Sequence, residues 1–407
     1  MSETISLRHL VRNRVEKSDG APRRFIGLEA VMSGVGRLIS ADLPLKDASD
    51  SLLTRPGDIL FGKLRPYLSK TVHIEGGDVS CTGEFLVLEP SEALSSRYLY
   101  YLTLSKPWLD TANQTSFGSR MPRTSWEALA SMQISCPPRD VQAILAAYLD
   151  RETAKIDALI AKQEQLIATL QEDRIATITH AVTRGISVHA LRKSAAEWLE
   201  RIPTHWKVMP FVRCTIDRVD YRGATPRKTD SGVQLITARN VKQGWIDYGI
   251  SEEYVDDAEY EQVMRRGIPQ LGDLLLTMEA PLGNVALVDR TDIALAQRII
   301  KFRMNPNVII PEFTRYVLLS AWFQAQLISR ATGSTALGLK ASKLPELKVT
   351  VPPVAEQKEI TAFLDDRESS IGHLKRASEI SIATLREYRA ALITDAVTGK
   401  IDVRETV

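Results

Sequence analysis

The chain has 407 residues, of which 44% are hydrophobic and 25% are charged. This composition excludes a low-complexity or disordered protein, and the length predicts two or three domains. The formal net charge is +2. A uniformly basic nucleic-acid-binding protein is therefore excluded, and any DNA-binding surface must be local.

Neither the N-terminus nor the cysteines indicate an extracellular or membrane protein. The first ten residues lack the apolar core of a signal peptide, and no run approaches the ~20 apolar residues of a membrane span. Cys81, Cys136 and Cys214 lie far apart without CxxC spacing. We therefore expect a cytoplasmic protein with reduced thiols and without a zinc site at these cysteines.

An internal repeat is the main feature of the sequence. The segment from Pro137-Pro138 to Ala181-Val182-Thr183 recurs from Pro352-Pro353 to Ala396-Val397-Thr398, 215 residues later. The same offset relates Gly57-Asp58 to Gly272-Asp273. Such duplication predicts two copies of one structural unit.

Between these motifs the register is predicted to break. Arg97-Tyr98 matches Arg315-Tyr316 best, at an offset of 218. Each copy is therefore expected to contain a variable segment followed by a nearly constant one.

The constant segments are predicted to be two long helices, each started by a proline pair. Apolar residues spaced alternately by four and three indicate a coiled-coil seam. The predicted seam residues are Leu145, Leu149, Ile156, Leu159, Leu166 and Leu170 in the first helix, and Ile360, Leu364, Ile371, Leu374 and Leu385 in the second.

Because tandem copies related by a two-fold axis would run in opposite directions, we expect antiparallel pairing. Each helix would span roughly 65 Å at 1.5 Å per residue, about two turns of DNA. The alternative is that the two helices are ordinary amphipathic helices buried on separate domains.

The remaining segments alternate short β-branched runs with Gly, Pro and Asp turns, which predicts mixed α/β domains. The predicted fold class is α+β with a pseudo-two-fold repeat. Its parts are a first domain at 1–136, a first helix at 137–184, a connector at 185–204, a second domain at 205–351, a second helix at 352–398 and a tail at 399–407.

Basic residues cluster within the two variable domains. Lysine and arginine neutralise phosphates, while arginine and asparagine also recognise base edges. Any single one of these residues could instead be an ordinary solvated side chain. The candidate DNA-binding residues are Lys63, Arg65, Lys70, Arg120, Arg123, Arg227, Lys228, Arg239, Asn240 and Arg298.

Together these motifs resemble the specificity subunits of type I restriction–modification systems, over nearly the whole chain. The segments that carry the resemblance are Gly57–Leu68, Gly272–Leu275, Glu279–Ala286, Ile202–Trp206 and Pro353–Gln357. The first copy departs from the pattern at Val141, where the second copy has Glu356. It also begins without the Trp-containing segment.

The resemblance implies two target recognition domains, at 1–136 and 205–351, separated by two conserved helices that form an antiparallel coiled coil. Each domain would read one half of a bipartite, asymmetric site in double-stranded DNA. Two methyltransferase (modification) subunits would bind the helices and methylate adenine, and restriction (translocase/nuclease) subunits would join them. No membrane partner is implied.

No catalytic constellation is evident in the sequence. There is no Asn/Asp-Pro-Pro-Tyr/Phe methyltransferase motif, no GxxxxGK[ST] phosphate loop and no HExxH among the six histidines. We therefore expect a non-catalytic subunit without cofactor or metal. The alternatives are a specificity module of another restriction or modification enzyme, a coiled-coil protein-binding scaffold, or a free-standing enzyme.

Overall fold

The structure is a computed structural model that describes residues 3–46, 50–221, 226–333 and 336–401. It divides into two compact units. Unit 1 comprises Met1–Gln165 and Ser378–Val407, and unit 2 comprises Leu166–Ala377. Within the described residues, no helix is long and apolar enough to cross a membrane.

Unit 1 contains strands and short helices before the first long helix. Strands β1 to β10 are Glu3–Ser6, Val11–Asn13, Arg23–Ile26, Leu45–Lys46, Leu52–Leu53, Ile59–Gly62, Thr71–His73, Val79–Cys81, Phe85–Pro90 and Gln133–Cys136. Helices α1 to α4 are Ser96–Leu104, Lys106–Gln114, Trp126–Ala130 and Arg139–Arg184. The last of these, α4, continues into unit 2.

Unit 2 has a similar sequence of elements. Strands β11 to β22 are Leu191–Lys193, Arg201–Pro203, Lys207–Pro210, Thr215–Asp220, Val233–Ile236, Gln243–Gly244, Tyr254–Val255, Leu274–Met278, Leu282–Leu287, Ile293–Leu295, Ile299–Met304 and Lys348–Val351. Helices α5 to α8 are Tyr260–Val263, Pro311–Leu319, Ala321–Arg330 and Val354–Val397. The second long helix, α8, begins in unit 2 and ends in unit 1.

The sheets of the two units have the same topology. Unit 1 has an antiparallel sheet in the order β2-β9-β6-β7, and unit 2 has the corresponding order β14-β21-β18-β19 with β16 added at the edge. A second sheet contains a parallel pair in each unit, β3 with β8 and β15 with β20. A short antiparallel pair, β1 with β10 or β13 with β22, ends in the residues that lead into a long helix. This arrangement confirms the predicted α+β fold.

The predicted change of register to 218 is wrong. Helices α1 and α6 begin 215 residues apart, so Tyr316 corresponds to Tyr101. The Tyr101 hydroxyl donates to Asp150 and the Tyr316 hydroxyl to Asp365, each at 2.6 Å. Arg97 and Arg315 also pair with these aspartates, although they occupy positions one helical turn apart. An arginine can reach the carboxylate from either position, which explains the misleading match.

The long helices pair in antiparallel fashion within unit 1. Arg389 Nε lies 3.0 Å from the Asp157 carboxylate, and Arg386 lies 3.0 Å from Glu164. Residue numbers therefore rise along α4 as they fall along α8.

The same direction holds in unit 2. Arg174 of α4 lies 2.6 Å from Glu368 of α8. Nearer the end of α4, the Val182 carbonyl accepts a hydrogen bond of 2.6 Å from the Thr350 hydroxyl, just before α8 begins.

The burial of the helices corrects part of the predicted seam. Leu145, Leu149, Ile156, Ile360 and Leu364 are buried. Leu170, Ile371 and Leu385 are half-buried.

Three of the predicted seam residues are not part of it. Leu159, Leu166 and Leu374 are 49%, 41% and 51% exposed. In unit 1 the neighbouring residue Ile160 packs against the core instead. An α-helix has 3.6 residues per turn, so its buried face drifts away from a strict heptad line. Each helix also packs against the α/β domain of its unit, which moves the buried face further.

We predict that substitutions at buried and at exposed positions of the predicted seam differ in their effect on the stability of the protein. Ile156→Ala removes buried methyl groups and should lower the free energy of unfolding by about 2–4 kcal/mol. Leu159→Ala on the same helix should lower it by less than about 1 kcal/mol. Urea denaturation of the full chain measures both, and equal losses would contradict the corrected seam.

A buried glutamine fixes the start of each long helix. Gln142 and Gln357 are fully buried, and each side chain makes three hydrogen bonds of 2.6–2.9 Å to backbone groups. In both, Nε2 donates to two carbonyls and Oε1 accepts from one N–H. The partners of Gln142 are Ala93, Ser95 and Pro137, and those of Gln357 are Val308, Ile310 and Pro352.

Gln142→Leu should lower the free energy of unfolding by about 2–4 kcal/mol, because it removes three hydrogen bonds and leaves the buried Pro137 carbonyl without this donor. Gln165→Leu, at an exposed position of the same helix, is the matched control and should change stability by less than about 0.5 kcal/mol. Thermal and urea unfolding measure the difference. A Gln142→Leu variant as stable as the control would contradict this role.

Candidate nucleic-acid interface

The repeated Gly-Asp motif forms a turn that positions a central strand. Gly57 and Gly272 have φ values of 93° and 80°, a region that favours glycine. The Asp58 carboxylate accepts from the backbone N–H two residues before Gly57, at 2.6 Å, and Asp273 forms the equivalent bond at 2.8 Å. Asp58 is also paired with the buried Arg14. The motif therefore has a structural role. In unit 1 it leads into β6, and the candidate DNA-binding residues Lys63 and Arg65 follow that strand.

In unit 1 three of the basic residues that were predicted to bind DNA lie close together where β6 ends. The Lys63 N–H donates to the Glu84 carbonyl at 2.8 Å, and the Arg65 N–H donates to the Pro122 carbonyl at 2.7 Å. The Arg123 guanidinium lies 2.8 Å from the Glu84 carboxylate. Backbone hydrogen bonds thus hold Lys63, Arg65 and Arg123 on adjacent loops.

The loop at 117–123 is closed by two hydrogen bonds between the backbones of Phe117 and Arg123, at 3.1 and 3.0 Å. Arg120 and Met121 lie exposed near its tip, and Phe117 is exposed at its base. Large exposed apolar side chains next to basic ones suit contacts with both the apolar and the charged parts of a nucleic acid. Nothing in the sequence pattern marked the two apolar residues as candidates.

Unit 2 has the same loop framework with different side chains. Thr332 and Gly338 form the equivalent backbone pair, with both hydrogen bonds at 2.9 Å. Ala280 occupies the left-handed conformation of Arg65, with φ values of 45° and 51°. Met278 stands at the position of Lys63 and Gly338 at that of Arg123. The basic side chains of unit 1 are therefore missing from the equivalent loops of unit 2.

Three other predicted basic residues of unit 2 line one groove of about 350 Å³: Lys228, Arg239 and Arg298. Lys228 Nζ lies 2.8 Å from the Glu253 carboxylate. Arg239 and Arg298 are exposed and form no ion pair within the part of the chain that the structure describes. The two guanidinium groups are consequently available to a ligand. Gln297, which the sequence did not single out, lines the same groove.

Arg227 lies at a different cavity, of about 220 Å³, together with Arg265 and Arg266. Arg266 donates to the Asp220 carbonyl at 2.8 Å. Pro226 borders both this cavity and the groove. The structure thus places Arg227 beside, but outside, the cluster formed by Arg239 and Arg298.

Two predicted contacts do not fit a DNA-binding role. Lys70 Nζ donates to the Leu28 carbonyl at 2.5 Å and so ties a loop to the domain. Asn240 is fully buried: its Oδ1 accepts from the Thr237 N–H at 2.9 Å and its Nδ2 donates to the Asp247 carbonyl at 2.9 Å. An amide with these partners shapes the loop and cannot read a base edge. Both residues are therefore withdrawn from the candidate set.

Two of the three cysteines, Cys81 and Cys214, are buried and are not nucleophiles. Burial raises the pKa of the Cys81 thiol to about 12 and that of the Cys214 thiol to about 11. Both thiols are protonated near neutral pH and therefore unreactive. Cys81, Cys136 and Cys214 form no disulfide.

Comparison with known proteins identifies the family. The model of the type I restriction modification DNA specificity domain matches residues 51–169 and 260–381, more than half of the chain. The chain belongs to this family. Its two matched segments fall in the two halves of the repeat, and the expected resemblance to type I specificity subunits is confirmed.

Curated relatives agree with this assignment. The chain is 22% identical to the type I restriction enzyme MjaVIII specificity subunit of Methanocaldococcus jannaschii, over 86% of this chain and 77% of that protein. It is 20% identical to the EcoKI specificity subunit of Escherichia coli, over 77% of this chain and 68% of that protein. This chain is therefore a non-catalytic DNA-specificity subunit that works with other subunits of a type I system.

Solved structures share the fold. A chain from work on complex assembly and conformational transition of the type I R-M system superposes with a TM-score of 0.73, at 16% identity and 98% coverage of both chains. The HsdS subunit from Thermoanaerobacter tengcongensis gives a TM-score of 0.50 at 16% identity, covering 98% of this chain and 97% of that one. The fold of specificity subunits therefore extends over both units.

We predict that the groove of unit 2 contributes to DNA affinity. Arg239→Ala and Arg298→Ala should each weaken binding of cognate DNA by about 1–3 kcal/mol if the side chain contacts a base. Arg218→Ala is the control, because Arg218 is exposed on β14 and does not line the groove. Fluorescence anisotropy at one fixed salt concentration measures the affinities of assembled complexes. Losses no larger than that of the control would remove both residues from the interface.

Proposed function

We propose that this subunit reads a bipartite, asymmetric DNA site, one half with each unit. The observation that carries the proposal is the repeated framework with unmatched side chains. Both units hold the same loops with equivalent backbone hydrogen bonds, but the side chains differ. Unit 2 has Met278, Ala280 and Gly338 where unit 1 has Lys63, Arg65 and Arg123. Two copies of one scaffold with different contact groups would select two different sequences.

In this proposal the two units use different parts of their surface. Unit 1 would use the loops that carry Lys63, Arg65, Arg120 and Arg123. Unit 2 would use Arg239 and Arg298 in the groove, with Lys228 and Arg227 beside them. Basic side chains on loops can neutralise phosphates, and an arginine free of an ion pair can donate two hydrogen bonds to guanine in the major groove.

We further propose that two modification subunits bind along the paired helices, methylate adenine in the selected site and recruit the restriction subunits. The exposed Leu159, Leu166 and Leu374 support this, since apolar side chains on the outside of paired helices suit a protein partner. Two structural copies in one chain also suit two copies of the partner. The complex would act on cellular DNA in the cytoplasm, with the domains divided as the sequence predicts.

Methylome sequencing of a strain that expresses this chain with its modification subunit tests the proposal. We expect one methylated motif with two short specified segments separated by a gap of fixed length and free sequence. A continuous motif, or methylation independent of this chain, would overturn the bipartite reading.

Single substitutions should then separate the two half-sites. Arg65→Ala in unit 1, where the exposed Arg65 forms no ion pair among the described residues, should relax selection in one segment of the motif, and Arg239→Ala in unit 2 should do so in the other. Each change affects the contacts of only one unit, so the second segment should keep its sequence. Relaxation of both segments by one variant would contradict the division of labour between the units.

A further inference from the structure

A cluster of possible metal ligands lies in unit 2, away from the candidate DNA-binding residues. His205 Nε2 lies 2.8 Å from one oxygen of the Glu356 carboxylate, and His189 Nε2 lies 3.3 Å from the other. The three ligand atoms all lie within 4.8 Å of one another. Both imidazoles therefore present the same nitrogen to one carboxylate.

The fold assembles this cluster from three segments. His189 follows α4 in the connector, His205 lies between β12 and β13, and Glu356 is in the first turn of α8. Pairing of β11 with β12 brings the two histidines together, and pairing of β13 with β22 brings them to the start of α8. Sequence spacing could not reveal the site, because its residues are distant along the chain.

The surroundings favour a fixed carboxylate. The Trp206 indole N–H lies 3.0 and 3.1 Å from the two oxygens of Glu356, so the buried indole orients the carboxylate from behind. Such outer hydrogen bonds are typical of metal-binding side chains. A Cβ at Gly185 would lie 3.1 Å from the His189 ring and 3.4 Å from the Glu356 carboxylate. Glycine there leaves room for both ligands to approach.

We propose that His189, His205 and Glu356 bind one divalent transition-metal ion, with Zn²⁺ as the physiological candidate. Two imidazoles and a carboxylate form a ligand set that Zn²⁺ accepts, with water as a fourth ligand. Bonds of about 2.0–2.2 Å in a tetrahedral site place neighbouring ligand atoms about 3.3 Å apart. The distance from His189 Nε2 to one oxygen of Glu356, 3.3 Å, matches this value. His205 Nε2 lies 2.8 Å from the other oxygen, so His205 would move outward by about half an ångström when the ion binds.

The site is found only in the second copy of the repeat. The first copy has Val141 at the position equivalent to Glu356, so the common framework does not need this carboxylate. A bound ion would join the connector, the start of the second recognition domain and the first turn of α8. It would thus act as a structural clip within unit 2, whatever DNA sequence the protein selects.

Zinc titration of the untagged, full-length chain tests the proposal after treatment with a chelator. Isothermal titration calorimetry should show one Zn²⁺ per chain, and Co²⁺ should give the visible absorption of a four-coordinate site. His189→Gln, His205→Gln and Glu356→Gln should each weaken Zn²⁺ binding at least about tenfold. Glutamine at position 356 can still accept from Trp206, so this variant tests the ligand without removing that hydrogen bond.

His373→Gln is the matched control, because His373 is exposed on α8, the helix that also carries Glu356. It should bind Zn²⁺ as the wild type does. Excess Zn²⁺ should also raise the thermal midpoint of the wild type and of this control by about 2–4 °C, but not that of Glu356→Gln. Absence of stoichiometric binding, or binding unchanged in all three ligand variants, would overturn the proposal.

Discussion

The attachment of each long helix to its α/β domain depends on one buried glutamine. Gln142 and Gln357 each hydrogen-bond three backbone groups, of which one, the carbonyl of Pro137 or of Pro352, lies in a buried contact. An unsatisfied buried polar group costs about 1–3 kcal/mol, so these side chains fix where the helix begins and which way it leaves the domain. Tyr101 on Asp150 and Tyr316 on Asp365 repeat the attachment two turns further along. These contacts fix the direction in which each helix leaves its own domain.

A framework held by backbone hydrogen bonds leaves the side chains of its loops free to differ. The Arg65 and Ala280 positions share a left-handed backbone conformation but no side-chain chemistry. The polar side chains of Asp58 and Asn240, by contrast, form hydrogen bonds with the backbone of their own unit and are not free to contact DNA. Polarity alone therefore does not mark a residue as a DNA contact. What distinguishes Arg239 and Arg298 is exposure together with a guanidinium that has no acidic partner among the described residues.

The sequence predicted the repeat, the two long helices and the α+β domains, because these depend on local signals such as the proline pairs and on a constant offset of 215 residues. It could not predict which face of a helix is buried. Leu159 and Ile160 are both apolar, and only the packing of the domain against the helix decides between them. The sequence also could not predict that the Asn240 amide is fully hydrogen-bonded, or that His189, His205 and Glu356 form a cluster. Both depend on contacts that form only after folding.

The duplication also explains why the candidate contacts of the two units are not equivalent. If recognition used the same positions in both units, Met278, Ala280 and Gly338 would leave unit 2 with no basic side chain at these positions. Unit 2 instead exposes basic side chains from other segments, Arg239 and Arg298, in a groove that Ala280 also lines. Contact positions can thus shift across the surface while the framework stays constant. A residue-to-base code transferred from one unit to the other would therefore fail, even though their backbones correspond.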